Sequence, residues 1–375
     1  MSAPGTPPGA APGGVVREAE RLSRARGPLR LAVQIVGMLV ALGLLAWCVR
    51  LALAPANRAS IRRLSEAPTE LVAALFALAL AGLVLNGLGF AITLRRLARV
   101  RLLDVQATNA IATALAYLPF KLSIVARVMY HHRRDGVPLM RIGAWLGANA
   151  TIILAVVVPL GAAGLWRGGL DGAYIAASAG GLIACVGGAH FVALAFGGEA
   201  GLARLAALAR RARLGFVERL LARPSIRDLH AGLAIIAHRP TLLAAAGVRV
   251  ADVLVQALRF IVVGRALGIP LPFEKAVLAS STFFLTGAAS PAGSVGAREG
   301  ATTGVGALVQ IPGVPYESLS VIALAVSAAE IVLYVPLGVA AFLYLRVRRP
   351  LVPYDPADAS GPHPAEPDGR RTAIK

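Results

Sequence analysis

The chain has little of what a soluble enzyme requires. Only 15% of its 375 residues are charged and 6% are aromatic, while 57% are hydrophobic and the mean hydropathy is +0.70. These values exclude an ordinary soluble domain and indicate a polytopic membrane protein. The two cysteines, Cys48 and Cys185, both lie in apolar runs, so the sequence has no disulfide framework and no metal-ligand spacing.

Acidic residues and lysines are also scarce. There are 19 acidic against 38 basic residues, which gives a formal net charge of +19, and only three of the basic residues are lysines. Abundant Ala, Gly, Leu and Arg are typical of a GC-rich bacterial genome, so we expect the bacterial inner (plasma) membrane. No nucleic-acid partner is expected, because no recognition motif accompanies the charge and short basic loops between apolar runs produce the same total.

Catalytic signatures are missing as well. The sequence contains no P-loop, no His pair at zinc-type i, i+4 spacing, no Gly-x-Ser-x-Gly and no Asp-rich nucleotide-sugar motif. We therefore predict a protein that is not an enzyme and that has no cofactor and no metal.

Long apolar runs are the main feature that is present. Since about 20 helical residues cross a 30 Å hydrocarbon layer, six runs are long enough: 30–54, 70–94, 142–165, 173–197, 241–263 and 318–345. Two further stretches, 105–130 and 276–311, are apolar but interrupted by Pro, Gly or charge. The predicted fold class is all-α, a polytopic helical membrane protein with six full spans plus two broken or re-entrant segments, hence up to eight helices.

Clusters of arginine predict the orientation. The N-terminal tail, 95–101, 127–141, 198–240 and the C-terminal end are basic, and the positive-inside rule places them, with both termini, in the cytoplasm. This orientation requires each broken segment either to enter the membrane and return to the same face or to cross the membrane twice in two short helices. The loop 55–69 disagrees, because it is placed outside and yet contains Arg58, Arg62 and Arg63.

The order of segments predicts the domain organisation. Residues 1–28 and 348–375 have the composition of disordered cytoplasmic tails around a transmembrane domain at 29–347. Its halves, 29–165 and 173–347, have the same order of span, span, broken segment and span in opposite orientation, which predicts an inverted repeat. The basic loop 198–240 lies in the second half, and its residues 199–222 are predicted to form an amphipathic helix that is solvated or lies on anionic headgroups.

Polar side chains within the apolar runs are candidate functional residues, since they must face protein or water. Arg249, Asp252, Gln256 and Arg259 recur at i, i+3, i+7 and i+10, which is one face of a helix. This stripe predicts either the lining of a polar cavity or an ion pair that ties the bundle together. Glu330, near the middle of the last span, is a candidate proton site or counter-ion.

The segment 290–300, with the sequence SPAGSVGAREG, places glycine and charge inside an apolar stretch. Gly293 and Gly296 permit a tight turn, and the free N–H groups of a following helix suit an anion such as phosphate. Arg298 would add a forked cation that matches phosphate. Glu299 would hold this arginine in place or meet a cationic headgroup. The alternative is a plain loop between two short helices.

These residues carry a resemblance to the lysylphosphatidylglycerol synthase transmembrane-region family, whose members are flippase-like membrane proteins. The late family motif is approximately Pro-Gly-Gly-x-Gly-x-x-Glu and is similar to 291–299, with one extra residue or a shifted register in this chain. The early motif is approximately Pro-Gly-basic-x-Gly-Glu-x-x-Arg and is similar to 119–127. The chain matches it at Pro119, Lys121 and Arg127. It departs from the motif at Phe120, Ser123 and Ile124, and the last of these stands where the family has an acid.

The resemblance implies that the protein moves a phospholipid or other lipid-phosphate headgroup between leaflets, without the soluble aminoacyl-transfer domain of the members that make aminoacylated phosphatidylglycerol. Its expected partners are anionic or aminoacylated phospholipids, bound through Arg298, Glu299, Gly293, Gly296, Lys121 and Arg127. One alternative is a non-catalytic membrane subunit of a lipid-modifying or cell-envelope glycosyltransferase system, with a lipid-modifying enzyme as partner. Another is a membrane-embedded transferase that acts on a lipid phosphate.

Overall fold

A computed structural model describes residue 32 and residues 35–118, 121–221, 224–290, 293–311 and 314–348. The two predicted tails, apart from residue 348, lie outside the described residues, as do four motif residues, Pro119, Phe120, Pro291 and Ala292. The described part of the chain contains helices and no strand, which confirms the predicted all-α class.

The helices are numbered here in chain order. The first half contains α1 (Ile35–Ala52), α2 (Arg58–Ser65), α3 (Thr69–Leu94), α4 (Leu102–Leu115), α5 (Leu122–Arg133) and α6 (Leu139–Trp166). The second half contains α7 (Gly172–Phe196), α8 (Gly198–Arg211), α9 (Gly215–Leu221), α10 (Pro224–Ala237), α11 (Arg239–Leu267), α12 (Phe273–Ala289), α13 (Ala297–Val309) and α14 (Tyr316–Arg348).

Five helices in the described residues, α1, α3, α6, α7 and α14, are long and apolar enough to cross a membrane, and they correspond to five of the six predicted spans. The sixth predicted span, 241–263, lies within α11. This helix has 29 residues and is therefore long enough, but its polar stripe lowers its hydropathy. All four residues of the stripe are buried in the bundle, as the cost of charge in hydrocarbon requires.

Each segment predicted to be broken forms two short helices that pack against each other. The pair α4 and α5 has 14 and 12 residues, and the pair α12 and α13 has 17 and 13 residues. A single crossing of the hydrocarbon layer takes about 20 residues. None of the four is therefore long enough to be an ordinary span, and both interruptions that the sequence predicts are confirmed.

Helix packing is reciprocal between the two halves. The central helices α3 and α11 pack together, while α4 packs against α14 and α12 packs against α6. Glycines make these contacts close, since small residues let helix backbones approach in a membrane protein. A methyl group at Gly338 of α14 would lie 2.6 Å from Cβ of Ala114, and one at Gly164 of α6 would lie 2.5 Å from the carbonyl oxygen of Glu274. Each broken segment is thus held by the last long helix of the other half.

Contacts between loops distinguish two ends of the bundle. At one end, Asn57 donates to the carbonyl of Glu317 at 3.5 Å, and Lys275 Nζ donates to the carbonyls of Gly164 and Arg167 at 3.0 and 2.7 Å. Arg63 of the loop 55–69 lies against Gly268, where an added methyl group would meet its Nη1. This loop therefore lies at the same end as 166–172 and 264–275, which agrees with the predicted orientation despite its arginines. At the other end, Asp104 pairs with Arg134 at 2.9 Å.

The basic loop 198–240 is more ordered than the sequence indicates. The amphipathic helix predicted at 199–222 is interrupted after α8, where Arg213 has a φ of 56°, in the left-handed region. The apolar face of α8 therefore does not continue to Phe216 in α9. Helix α10 packs against α6 and α7, with Ile235 and Ile236 only 1% and 3% exposed. The end of this loop thus belongs to the bundle because its apolar residues are buried there.

Two adjacent glycines of α7 allow the packing against α6 to be tested. A methyl group at Gly181 would lie 2.7 Å from Cβ of Pro159, whereas one at Gly180 would meet no atom within 4 Å. We expect Gly181→Leu to lower the free energy of unfolding by about 1–3 kcal/mol through overpacking against a rigid ring. Gly180→Leu, the matched control, should leave it nearly unchanged. Titration with SDS followed by circular dichroism measures both, and equal midpoints would contradict the α6–α7 contact.

Candidate functional site

The two broken segments meet at a cavity of about 300 Å³ between the helices. Its walls come from α3 to α6 and α11 to α14, together with the breaks themselves. Eight of the predicted site residues line it: Lys121, Arg127, Asp252, Gln256, Arg259, Gly293, Arg298 and Glu330. The remaining three predicted residues lie behind this wall. Arg249 pairs with Asp252, and Glu299 is bonded to Gly296 and to Arg298. The structure thus brings together residues that are more than 200 positions apart.

The two breaks contact each other directly. Ser294, in the second break, donates its N–H and its hydroxyl to the carbonyl of Ala116 at 3.1 and 3.0 Å. Lys121, in the first break, donates Nζ to the carbonyl of Ala288 at 2.5 Å. The last carbonyls of a helix have no partner within that helix. Each break therefore satisfies the carbonyl end of the short helix that leads into the other break.

Glu330 is the centre of a buried ionic network. Its carboxylate is bonded by Nη1 of Arg259, by Nη1 of Arg298 at 2.8 Å and by the hydroxyl of Tyr117 at 2.9 Å. The residue is 4% exposed. In this geometry Glu330 is the counter-ion of two arginines. The sequence predicted either this role or that of a proton site. The network joins α11, α13 and α14 to the end of α4.

Glu299 serves the helix on which it lies. It is fully buried, accepts the N–H of Gly296 at 2.6 Å and Nε of Arg298 at 3.0 Å, and also accepts the hydroxyl of Ser327. This is the side-chain half of a capping box, in which the third residue of a helix reaches back to its first free N–H. The N-terminus of α13, which the sequence marks as an anion site, thus already holds a carboxylate of its own chain.

The polar stripe of α11 combines both roles that the sequence left open. Arg249 pairs with Asp252 at 2.6 Å and also donates to Asn86 of α3 at 3.1 Å, so this end of the stripe ties α11 to α3. Asp252, Gln256 and Arg259 line the cavity. The stripe is therefore a helix contact at one end and a cavity wall along the rest.

Arg127 is a buried charge that has no acidic partner among the described residues. Its Nη2 donates to Asn109 at 2.7 Å, and its guanidinium carbon lies 4.0 Å from the centre of the Phe90 ring. Nη1 is buried and has no hydrogen-bond partner, and the residue is 7% exposed. No carboxylate among the described residues lies within ion-pair distance of it. A buried cation in this state is costly, since it has lost water and gained no counter-ion.

The start of α5 adds to the positive potential of this wall. Lys121 precedes the helix with a φ of 52°, a left-handed conformation that is strained for a lysine. No side chain caps the helix, unlike α13, and Ser123 of its first turn lines the cavity. The sequence contained a signal for this site, because 105–134 holds Lys121 and several arginines and has no acidic residue. The glycines of the second break make it the more conspicuous anion site in the sequence.

Fold and cavity together define a class: a polytopic helical membrane protein whose two broken segments meet at a charged cavity. The family model described as the lysylphosphatidylglycerol synthase TM region matches residues 34–338, and the chain belongs to this family. The match confirms the resemblance found in the two motifs and indicates a membrane protein related to lipid modification or translocation. No curated protein and no solved structure matches the chain.

Removal of the central carboxylate tests the ionic network. In Glu330→Gln, Arg259 loses its one ion-pair partner among the described residues, so we expect the free energy of unfolding to fall by about 3 kcal/mol or more. The double variant Arg259→Gln with Glu330→Gln removes one charge of each sign and should recover part of this loss. Unfolding in SDS measures both.

The matched control for this experiment is Glu66→Gln. Glu66 also pairs with an arginine, Arg62 at 3.0 Å, but its side chain is 61% exposed. An exposed pair of this kind contributes only about 0–1 kcal/mol. If Glu330→Gln and Glu66→Gln unfold at the same midpoint, the network does not hold the bundle together.

Proposed function

We propose that the protein is a flippase-like translocase, which moves the phosphate headgroup of a lipid between the leaflets of a bacterial plasma membrane. The observation that carries the proposal is Arg127, a buried cation that lines a cavity and has no carboxylate partner. A ligand that supplies the missing negative charge would offset the cost of burying this cation.

A phosphate group fits the chemistry of this wall. Arginine binds phosphate through a planar fork of N–H groups, and Nη1 of Arg127 has no hydrogen-bond acceptor in the described part of the chain. Lys121, Ser123 and the uncapped start of α5 line the same cavity and attract an anion for the same reason. The donor set matches a single tetrahedral anion that enters between the breaks.

A lipid is favoured over a free anion by the surface around the cavity. Ile124 lines the cavity and is also 44% exposed, and its neighbours Leu118 and Val125 are 47% and 48% exposed. An apolar surface of this kind is stable against hydrocarbon tails. In the proposed mechanism the tails therefore remain in the bilayer while the headgroup crosses between the breaks.

Arg298 supports the headgroup from the other break. Two carboxylates neutralise its charge, but its Nη2 is buried and has no partner. Arg298 would therefore donate an N–H group from a fixed position to the headgroup, whereas Arg127 would supply the positive charge that balances the phosphate. Glu299, Gly293 and Gly296 shape this second break and hold the arginine in place.

The proposal includes an inverted repeat and two cytoplasmic termini. The reciprocal contacts of α4 with α14 and of α12 with α6 support the repeat, as do the mutual contacts of the two breaks. Transporters built this way alternate access by moving one half against the other around a central site. The hydrogen bonds from Ser294 to Ala116 and from Lys121 to Ala288 would then open and re-form on opposite sides of the headgroup.

Transport by the purified protein tests the proposal. We expect vesicles that contain the protein to exchange fluorescent phosphatidylglycerol between leaflets, measured by dithionite quenching. Arg127→Gln should lower the rate about tenfold or more, since a hydrogen bond to a charged group contributes about 1.5–3 kcal/mol. Arg62→Gln, at an exposed arginine that does not line the cavity, should leave the rate unchanged.

Folding of each variant is checked by its SDS unfolding midpoint before the rates are compared. An unchanged rate in Arg127→Gln would remove this residue from the site. If no lipid moves with the unmodified protein, and the protein instead remains bound to a lipid-modifying enzyme through purification, the alternative of a non-catalytic subunit is favoured.

A further inference from the structure

The charges that line the cavity bear on the whole lipid headgroup and not only on its phosphate. Four cations line it, Lys121, Arg127, Arg259 and Arg298, against two carboxylates, Asp252 and Glu330. Just behind the wall, Arg249 and Glu299 contribute one charge of each sign and cancel. The described lining therefore has an excess of two positive charges.

Each carboxylate is already neutralised by arginine. Asp252 pairs with Arg249 at 2.6 Å, and Glu330 pairs with Arg259 and with Arg298. Glu299 is fully buried and is bonded to Arg298 and to its own helix. Among the described residues of the cavity, no acidic group is left to receive an ammonium group, while Lys121 and Arg127 of the first break have no carboxylate partner.

We infer that the headgroup taken by this cavity is net anionic and carries no ammonium group. This inference rests on the proposed function and narrows its substrate class to anionic phospholipids. Phosphatidylglycerol meets the requirement. Phosphatidylethanolamine is less suited because its ammonium group cancels the phosphate charge. Lysylphosphatidylglycerol is least suited, since its two ammonium groups would enter a cavity that is already positive.

Ile124 is the position that sets this preference. It lines the cavity three residues before Arg127 on α5, so the two side chains lie on the same face of the helix. A carboxylate at this position would pair with Arg127 and remove its excess charge. The apolar side chain instead leaves that charge for the headgroup.

Selectivity among lipids tests the inference. Vesicles with the full-length protein contain phosphatidylglycerol, phosphatidylethanolamine or lysylphosphatidylglycerol, each labelled on the same acyl chain. We expect phosphatidylglycerol to move at least tenfold faster than lysylphosphatidylglycerol, with phosphatidylethanolamine between them. Ile124→Glu should reduce the ratio of the first rate to the third by about tenfold or more, which corresponds to about 1.4 kcal/mol. The uncharged control Ile124→Gln should keep the ratio of the unmodified protein.

The ratio of two rates does not depend on how much protein is folded, so a partly misfolded variant still gives an answer. Equal rates for phosphatidylglycerol and lysylphosphatidylglycerol would overturn the inference and leave the translocase intact. An equal change of the ratio in Ile124→Glu and Ile124→Gln would also overturn it. Release of trapped inorganic phosphate without movement of any lipid would instead contradict the proposed function, because the anion would then be a soluble one.

Discussion

The carboxylate of Glu330 is the constraint on which the cavity depends. It is buried between Arg259 of α11 and Arg298 of α13, and it also accepts the hydroxyl of Tyr117. In a medium of low polarity a charge must have its partners close by, and a partly satisfied network is worse than none. The four segments that supply these groups are therefore held at fixed positions. Gly338 lets α14 come close to α4, whose end carries Tyr117.

Because of this network, the charges of the two breaks are paired differently. The second break contains an arginine and a glutamate, but Glu299 caps its own helix and the charge of Arg298 is paired with Glu299 and Glu330. The first break contains Lys121 and Arg127 and no acid, so its charge is not neutralised by the described part of the chain. Similar positions in the two halves thus have different electrostatic roles. In the proposed mechanism the second break forms a wall of the cavity and the first break supplies the charge for the anion.

Local patterns predicted much of the candidate site. The spacing of Asp252, Gln256 and Arg259 placed them on one helix face, and the cavity wall confirms that placement. Glu299 also followed a local rule, since a glutamate three residues after the first cap position is the pattern of a capping box. This pattern competes with the nearby glycines, which indicate an anion site at the same helix start. The single helix expected at 199–222 was wrong, because the chain turns at Arg213 in a conformation that hydropathy does not reveal.

The sequence by itself determined the class of protein, the two interruptions and the relative placement of the loops. These properties depend on hydropathy, on the reach of a helix and on where arginine is tolerated, all of which are local. Only the tertiary structure decided which charges are paired. The groups bonded to Glu330 come from 32, 71 and 213 residues away, and no periodicity connects them. Whether a buried cation has a carboxylate partner depends on such distant residues. The unpaired charge of Arg127 is therefore visible only in the folded chain.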